Sequence, residues 1–310
     1  MAGCALILLL SGWALGPAAP NCAAQDPPAG SVAQTSAGSS NEEKGFTFYE
    51  FYGGSFNSFG HVTKLDTTVG YNFNRTFGID AGIPFYFVGV SNTLENPGPR
   101  SVNGVGDAYV DLLFTVPNPT LNYLGTLRGT APTGDTNAGF STGRATFDWD
   151  NYFDHNFGRL RPFLDAGFAN TISDTHFFYR PFTTLGLVAH FEGGASYKVV
   201  PALRVGASLY DDAPIGQQKI FSRLIPLNGA QSGSALGASS SALPAGVSEI
   251  VGPSSIARDN GFSAWVTVQP TSAVAFEAGY DRSVHYATNT FSFGIGVNVG
   301  ALYRKARRAY

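Results

Sequence analysis

Ionisable residues in this chain fall into short runs at even spacing, with aromatic or aliphatic residues between them. Asp148, Asp150 and Asp154 alternate with Phe147, Trp149 and Phe153, and His190 and Glu192 flank Phe191. Asp107 and Asp111 bracket Tyr109, Asp80 stands between Ile79 and Ala81, and Glu277 stands between Phe276 and Ala278. Arg161 and Asp165 are four apart, and Arg128 follows Leu127. Spacings of two and four gather these side chains on one face of an extended strand, whereas a helix would scatter the intervening aromatics. Carboxylates and guanidinium groups ranged along a strand face can form ion pairs and can attract or repel a charged solute.

Other chemistry finds little support in the spacing. Acyl hydrolysis needs a serine and a histidine within hydrogen-bond reach, plus an orienting group. No serine stands at a suitable cross-strand spacing from His61, His155, His176, His190 or His285, which leaves Asp174 with His176 in a loop as the one hydrolase arrangement. The five histidines are dispersed without an HxxxH spacing, so neither a metal site nor a cofactor is expected. Net charge of −3 and a pI near 5.9 give no reason to expect nucleic acid.

The elements that must carry these residues are strands. In Phe77–Val88, Phe77, Ile79, Ala81, Ile83, Phe85 and Phe87 share one face, and Gly78, Asp80, Gly82 and Tyr86 share the other. Reading onward in this way gives about twelve strands of roughly ten residues, an even number suited to a transmembrane barrel. They are Gly45–Gly53, Val62–Phe73, Phe77–Val90, Gly104–Val116, Leu121–Thr130, Arg144–Asn156, Arg159–Asn170, Leu185–Tyr197, Ala202–Tyr210, Gly261–Gln269, Ala273–Asp281 and Thr290–Gly300. Tight turns at Asn74–Thr76, Pro117–Thr120, Phe157–Gly158, Lys198–Pro201 and Pro270–Ser272 occupy every second connection, and the others are longer. The expected fold is therefore all-β: a single up-and-down antiparallel transmembrane β-barrel with short periplasmic turns and long extracellular loops. Arg or Lys at the mid-plane of a lipid face costs about 2–4 kcal/mol, so the charged face must point inward.

Composition agrees. Only 13% of the 310 residues are charged while 14% are aromatic, with 38 Gly and 25 Phe. No stretch beyond the N-terminus approaches the roughly 18 apolar residues of a membrane helix. Residues 1–24 read as a cleavable signal peptide built on the apolar run Ala5–Gly16, with Cys22-Ala23-Ala24 before Gln25 as the cleavage site. Cleavage there removes Cys4 and Cys22, so the mature chain holds no thiol. Residues 25–44 form a disordered periplasmic leader, 45–300 the barrel with a long loop at 211–260, and 301–310 a basic C-terminal tail. The expected location is the outer membrane of a Gram-negative bacterium.

Three short motifs carry a resemblance. Gly104-Val-Gly-Asp107, Ala131-Pro-Thr-Gly-Asp135 and Phe157-Gly-Arg-Leu-Arg-Pro-Phe163 are similar to those of the outer-membrane transporter family named after the meta-pathway of phenol degradation. The likeness covers Gly70 to Asn170 best and weakens after Tyr210. It implies a channel-like barrel for small solutes, with aromatic ones a candidate class. The long Asp211–Asn260 insertion and the basic tail depart from the family's pattern.

Pairing across the turns sharpens the reading. If residue numbers around Phe157-Gly158 sum to about 315, Asp154 lies opposite Arg161 and Asp150 opposite Asp165. Arg128 then falls near Asp148. The expected result is a ladder of Asp111, Arg128, Asp148, Asp150, Arg161 and Asp165 that narrows a polar, acidic pore. Its lining extends to Asp80, Asp107, Asp154, His190, Glu192 and Glu277. The alternative is a lumen merely filled by satisfied ion pairs. A dozen strands imply a narrow or partly plugged passage, and inward glycines such as Gly78, Gly82, Gly167, Gly194 and Gly206 leave space in it. The function expected is passive uptake of small, aromatic or hydrophobic solutes rather than catalysis. A non-conducting surface or adhesion barrel is the alternative, with an outer-membrane hydrolase behind it. Expected partners are outer-membrane lipid, the solute and the barrel-assembly machinery. The uniformly apolar outer face favours a monomer.

Overall fold

A computed structural model describes residues 44–58, 60–91, 100–118, 120–172, 182–222 and 249–308. The strands are β1 (Gly45–Asn57), β2 (Gly60–Asn72), β3 (Phe77–Val90), β4 (Arg100–Val105), β5 (Ala108–Val116), β6 (Asn122–Ala131), β7 (Thr146–Asp154) and β8 (Leu160–Ala169). They continue as β9 (Phe182–Leu185), β10 (Val188–Val200), β11 (Leu203–Pro214), β12 (Gln218–Ser222), β13 (Glu249–Gly252), β14 (Asp259–Thr271), β15 (Val274–Ser283) and β16 (Thr288–Asn298). One helix, α1 (Val299–Arg308), ends the described chain.

The main sheet runs β2-β1-β16-β15-β14-β11-β10-β8-β7-β6-β5-β3 and closes through a β2–β3 pairing. All its pairs are antiparallel. β4 and β5 both pair with β3 and are separated by Gly106 and Asp107, so together they form one stave. The result is the expected closed antiparallel barrel of twelve staves. Closure leaves no unpaired edge, which is what lets strands cross lipid.

Odd and even positions separate as the pattern requires. Phe77, Ile83, Phe85, Phe87, Leu127, Trp149, Leu164 and Phe168 are exposed on the outside, and Asp80, Tyr86, Asp111, Asp150 and Arg161 are buried within. Exposed rings also pair along the outer wall, for example Phe77 with Phe114 at 5.1 Å. One rim carries tight turns. Asn74 Oδ1 accepts the Thr76 and Phe77 amides at 2.8 Å, and Gly158 turns the chain at φ 64° before Arg159.

Four features depart from the sequence reading or add to it. The long connection is shorter than 211–260, because β11 runs to Pro214 and β14 starts at Asp259. Within it, β12 pairs with β13 and with β9 of a different connection, forming a separate three-stranded sheet. The basic tail is helical: Ala301–Arg308 is rich in strong helix formers, and Asn298 Oδ1 caps the Ala301 amide at 2.8 Å. Asn298 Nδ2 also donates to Tyr49 Oη at 3.1 Å, holding the helix start to β1. Finally, the outer face is not uniformly apolar, because Glu50 lies on it and accepts from Thr67 Oγ1 at 3.0 and 3.1 Å. The signal peptide, residues 25–43 of the leader, residues 223–248 of the long connection, Asp174 and His176 lie outside the described residues.

Candidate functional site: the charged lumen

The β7–β8 hairpin sets the geometry of half the site. Its register places Asp154 opposite Phe163, Tyr152 opposite Asp165 and Asp150 opposite Gly167. Each pairing is two residues from the expected one. The turn is the reason: Phe157 and Leu160 exchange hydrogen bonds at 2.8 and 3.2 Å, leaving only Gly158 and Arg159 in the loop. An even slip leaves every side chain on its face. Arg161 therefore still reaches Asp154, on the diagonal, with Nε to Oδ1 at 2.9 Å and Nη2 to Oδ2 at 2.8 Å.

Arg128 stands opposite both Asp148 on β7 and Asp111 on β5, and it bonds to Asp111. Nε and Nη2 meet the two carboxylate oxygens at 2.7 Å each, a fork-to-fork pair. Its guanidinium lies 4.2 Å from the centre of the Tyr109 ring. Tyr109 Oη in turn donates to Asp66 on β2 at 3.0 Å, leaning across β3. It can do so because Gly82 lies opposite Tyr109 and any Cβ there would collide with the phenol. Asp80, opposite Asp111, is buried and accepts from Thr47 Oγ1 at 3.3 Å.

The same device assembles a second group. His190 on β10 reaches Asp148 on β7 across the intervening β8, with Nε2 3.0 Å from Oδ1. Gly167 lies between them and a Cβ there would strike the imidazole. Asp150, Asp165 and His190 converge, and Glu192 lies opposite Asp165. The inward glycines thus do not leave open space: Tyr109 covers Gly82, His190 covers Gly167 and Trp265 covers Gly206.

Two expected site residues stand apart. Asp107 sits in the break between β4 and β5 and accepts the Gly134 amide at 3.0 Å, so it ties the loop after β6 to the rim. Thr133 Oγ1 reinforces that tie, accepting from Ala108 N at 2.8 Å and donating to Gly106 O at 3.1 Å. Glu277 faces inward on the far wall and accepts from Thr267 Oγ1 at 3.3 Å. The remaining ten gather as Asp80, Asp111 and Arg128, as the Asp154–Arg161 pair, and as Asp148, Asp150, Asp165, His190 and Glu192.

Several contributors escape sequence reasoning. Tyr210 donates to Asp259 at 3.4 Å and to Asp281 at 3.2 Å, while Ser283 and Ser263 donate to the same two carboxylates at 2.6 Å. The loop between β6 and β7 folds inward: Phe140 is 3% exposed and stacks on Tyr86 at 5.6 Å, packed with Phe51, Val62 and Val88. Nearer the tight-turn rim, Phe163 stacks on Tyr152 at 5.6 Å and approaches Trp265 at 6.1 Å. Their meeting across strands was not legible from local spacing. His190 bonds through Nε2 to an aspartate, and the His155 ring meets the Phe157 ring edge-on at 4.2 Å.

No family model matches the chain, and no curated protein does. Among solved structures it is similar to an outer membrane channel from Pseudomonas putida F1, at 12% identity and a TM-score of 0.53, covering 83% of this chain and 96% of that one. It is similar at lower scores to the KdgM porin (9% identity, TM-score 0.46, 80% and 98% covered) and to the toluene transporter TodX of Pseudomonas putida (7%, 0.41, 83% and 89%). At such identities the likeness bears on fold. It agrees with the resemblance at the level of an outer-membrane barrel.

Proposed function

We propose that this chain is a passive outer-membrane channel for small solutes, and that it admits cationic and uncharged ones in preference to anions. The observation that carries the reading is the balance of charge on the lumen wall. Asp148, Asp150, Asp165, Glu192, Asp212, Asp259 and Asp281 outnumber Arg204 on β7 to β15, while Lys64, Arg128 and Arg161 are each engaged by a carboxylate. A low-dielectric wall focuses such a field into the passage. Twelve staves and the inward Phe140 loop support a narrow bore. The rings of Tyr152, Phe163 and Trp265 give small aromatic solutes a surface to pass along.

In this reading the tight turns face the periplasm and the longer connections, with the β9–β12–β13 sheet, face outward. Swelling of liposomes containing the refolded protein tests it. Small amines and neutral sugars should enter faster than carboxylates of equal size. Folded protein that gives no more swelling than empty liposomes would favour the non-conducting surface barrel instead.

A further inference from the structure

We infer that Asp150, Asp165 and His190 form a binding site for a divalent transition-metal ion in the lumen wall. One potential ligand atom from each lies within 4.8 Å of the other two. Metal–nitrogen and metal–oxygen bonds of about 2.0–2.2 Å place neighbouring ligands of a tetrahedral ion roughly 3.4 Å apart, so small rotamer adjustments suffice. The three residues come from β7, β8 and β10, and only the barrel register brings them together. Short sequence spacings could not reveal such a site.

A second observation points to a ligand. Asp165 Oδ1 is shielded from solvent and has no hydrogen-bond partner among the described residues. Its carboxylate is in contact with that of the buried Asp150. A carboxylate oxygen in that position calls for a positive partner. Two arginines of this wall are engaged by other carboxylates: Arg128 by Asp111 and Arg161 by Asp154. His190 is oriented by Asp148 through Nε2, the carboxylate–imidazole arrangement that fixes metal-binding histidines. Glu192, opposite Asp165, stands where a fourth oxygen ligand could be drawn in. A set of one imidazole nitrogen with carboxylate oxygens suits zinc and its neighbours, whereas calcium and magnesium take oxygen alone.

The inference needs the barrel but not conduction. It is tested by titrating Zn²⁺ into the full-length, tag-free protein refolded in detergent and reading the heat. One saturable equivalent is expected, with Asp165→Asn and His190→Gln each weakening it about tenfold or more. Co²⁺ should give a visible absorption band that His190→Gln abolishes, which keeps the test decisive if Asp165→Asn fails to fold. No saturable zinc uptake by the folded wild-type chain would mean that the two aspartates share a proton instead, and the inference falls. Calcium binding as tight as zinc and indifferent to His190→Gln would also overturn it. Because no current is measured, a failed channel reading leaves this result standing, and the reverse holds too.

Discussion

Arg161 and Asp154 meet through two hydrogen bonds across the tight turn that joins β7 to β8, with only 3% and 2% of their side-chain surfaces exposed. The turn leaves the two residues on the same face but on a diagonal, and the arginine fork closes that distance. Removing one member strands the other as a buried charge. Arg161→Met should therefore cost about 3–5 kcal/mol of stability, and adding Asp154→Asn should return much of it. Urea unfolding of the refolded protein measures both. Equal loss in the single and double variants would show that the pair's charge is not the issue.

Phe140, on the inward loop between β6 and β7, is buried and stacked on Tyr86. Phe140→Ala should enlarge unit conductance in a planar bilayer while the other walls stay in place. Removing a buried ring costs about 3–5 kcal/mol, so the unfolding midpoint should fall with it. A midpoint that falls with no change in conductance would place Phe140 away from the narrowest point.

Adjacent positions on β6 separate lipid from lumen. Leu127 is exposed on the outer wall, and Thr126 faces inward opposite Asp150. Leu127→Arg should lose about 2–4 kcal/mol in lipid. Thr126→Arg, with a carboxylate across the strand, should lose far less. Unfolding from lipid vesicles compares them, and equal penalties would contradict the odd-even assignment.

Two glycines offer a contrast within one barrel. A Cβ at Gly167 would meet the His190 ring and the Trp149 carbonyl, and one at Gly129 finds nothing within 4 Å. Gly167→Ala should destabilise by about 1–3 kcal/mol through overpacking. Gly129→Ala should be neutral or gain up to about 1 kcal/mol by restricting the unfolded chain. Similar outcomes at both positions would argue against His190 leaning across β8.

Strand identity, face and the two kinds of rim were legible because each is written in local, period-two spacing. Phe77–Val90 needs nothing beyond its own residues to declare which side meets lipid. Contacts two strands away were not legible, since they depend on an absent side chain in the strand between. Tyr109 reaching Asp66 over Gly82 and His190 reaching Asp148 over Gly167 are both of that kind. The β7–β8 register was missed by two residues because the turn uses Gly158 and Arg159 rather than Phe157 and Gly158. Loop structure was the least accessible: nothing in Asp135–Arg144 announces that Phe140 packs inside the barrel.

The preference for cations is most directly tested by the reversal potential of a single refolded barrel under a KCl gradient. The account predicts potassium over chloride selectivity that weakens as salt rises from about 0.1 M to 1 M and screening tightens from about 10 to 3 Å. It also predicts that Asp150→Asn with Asp165→Asn and Glu192→Gln moves the potential toward zero. A folded protein that passes chloride in preference to potassium, or whose reversal potential ignores those three substitutions, would contradict it.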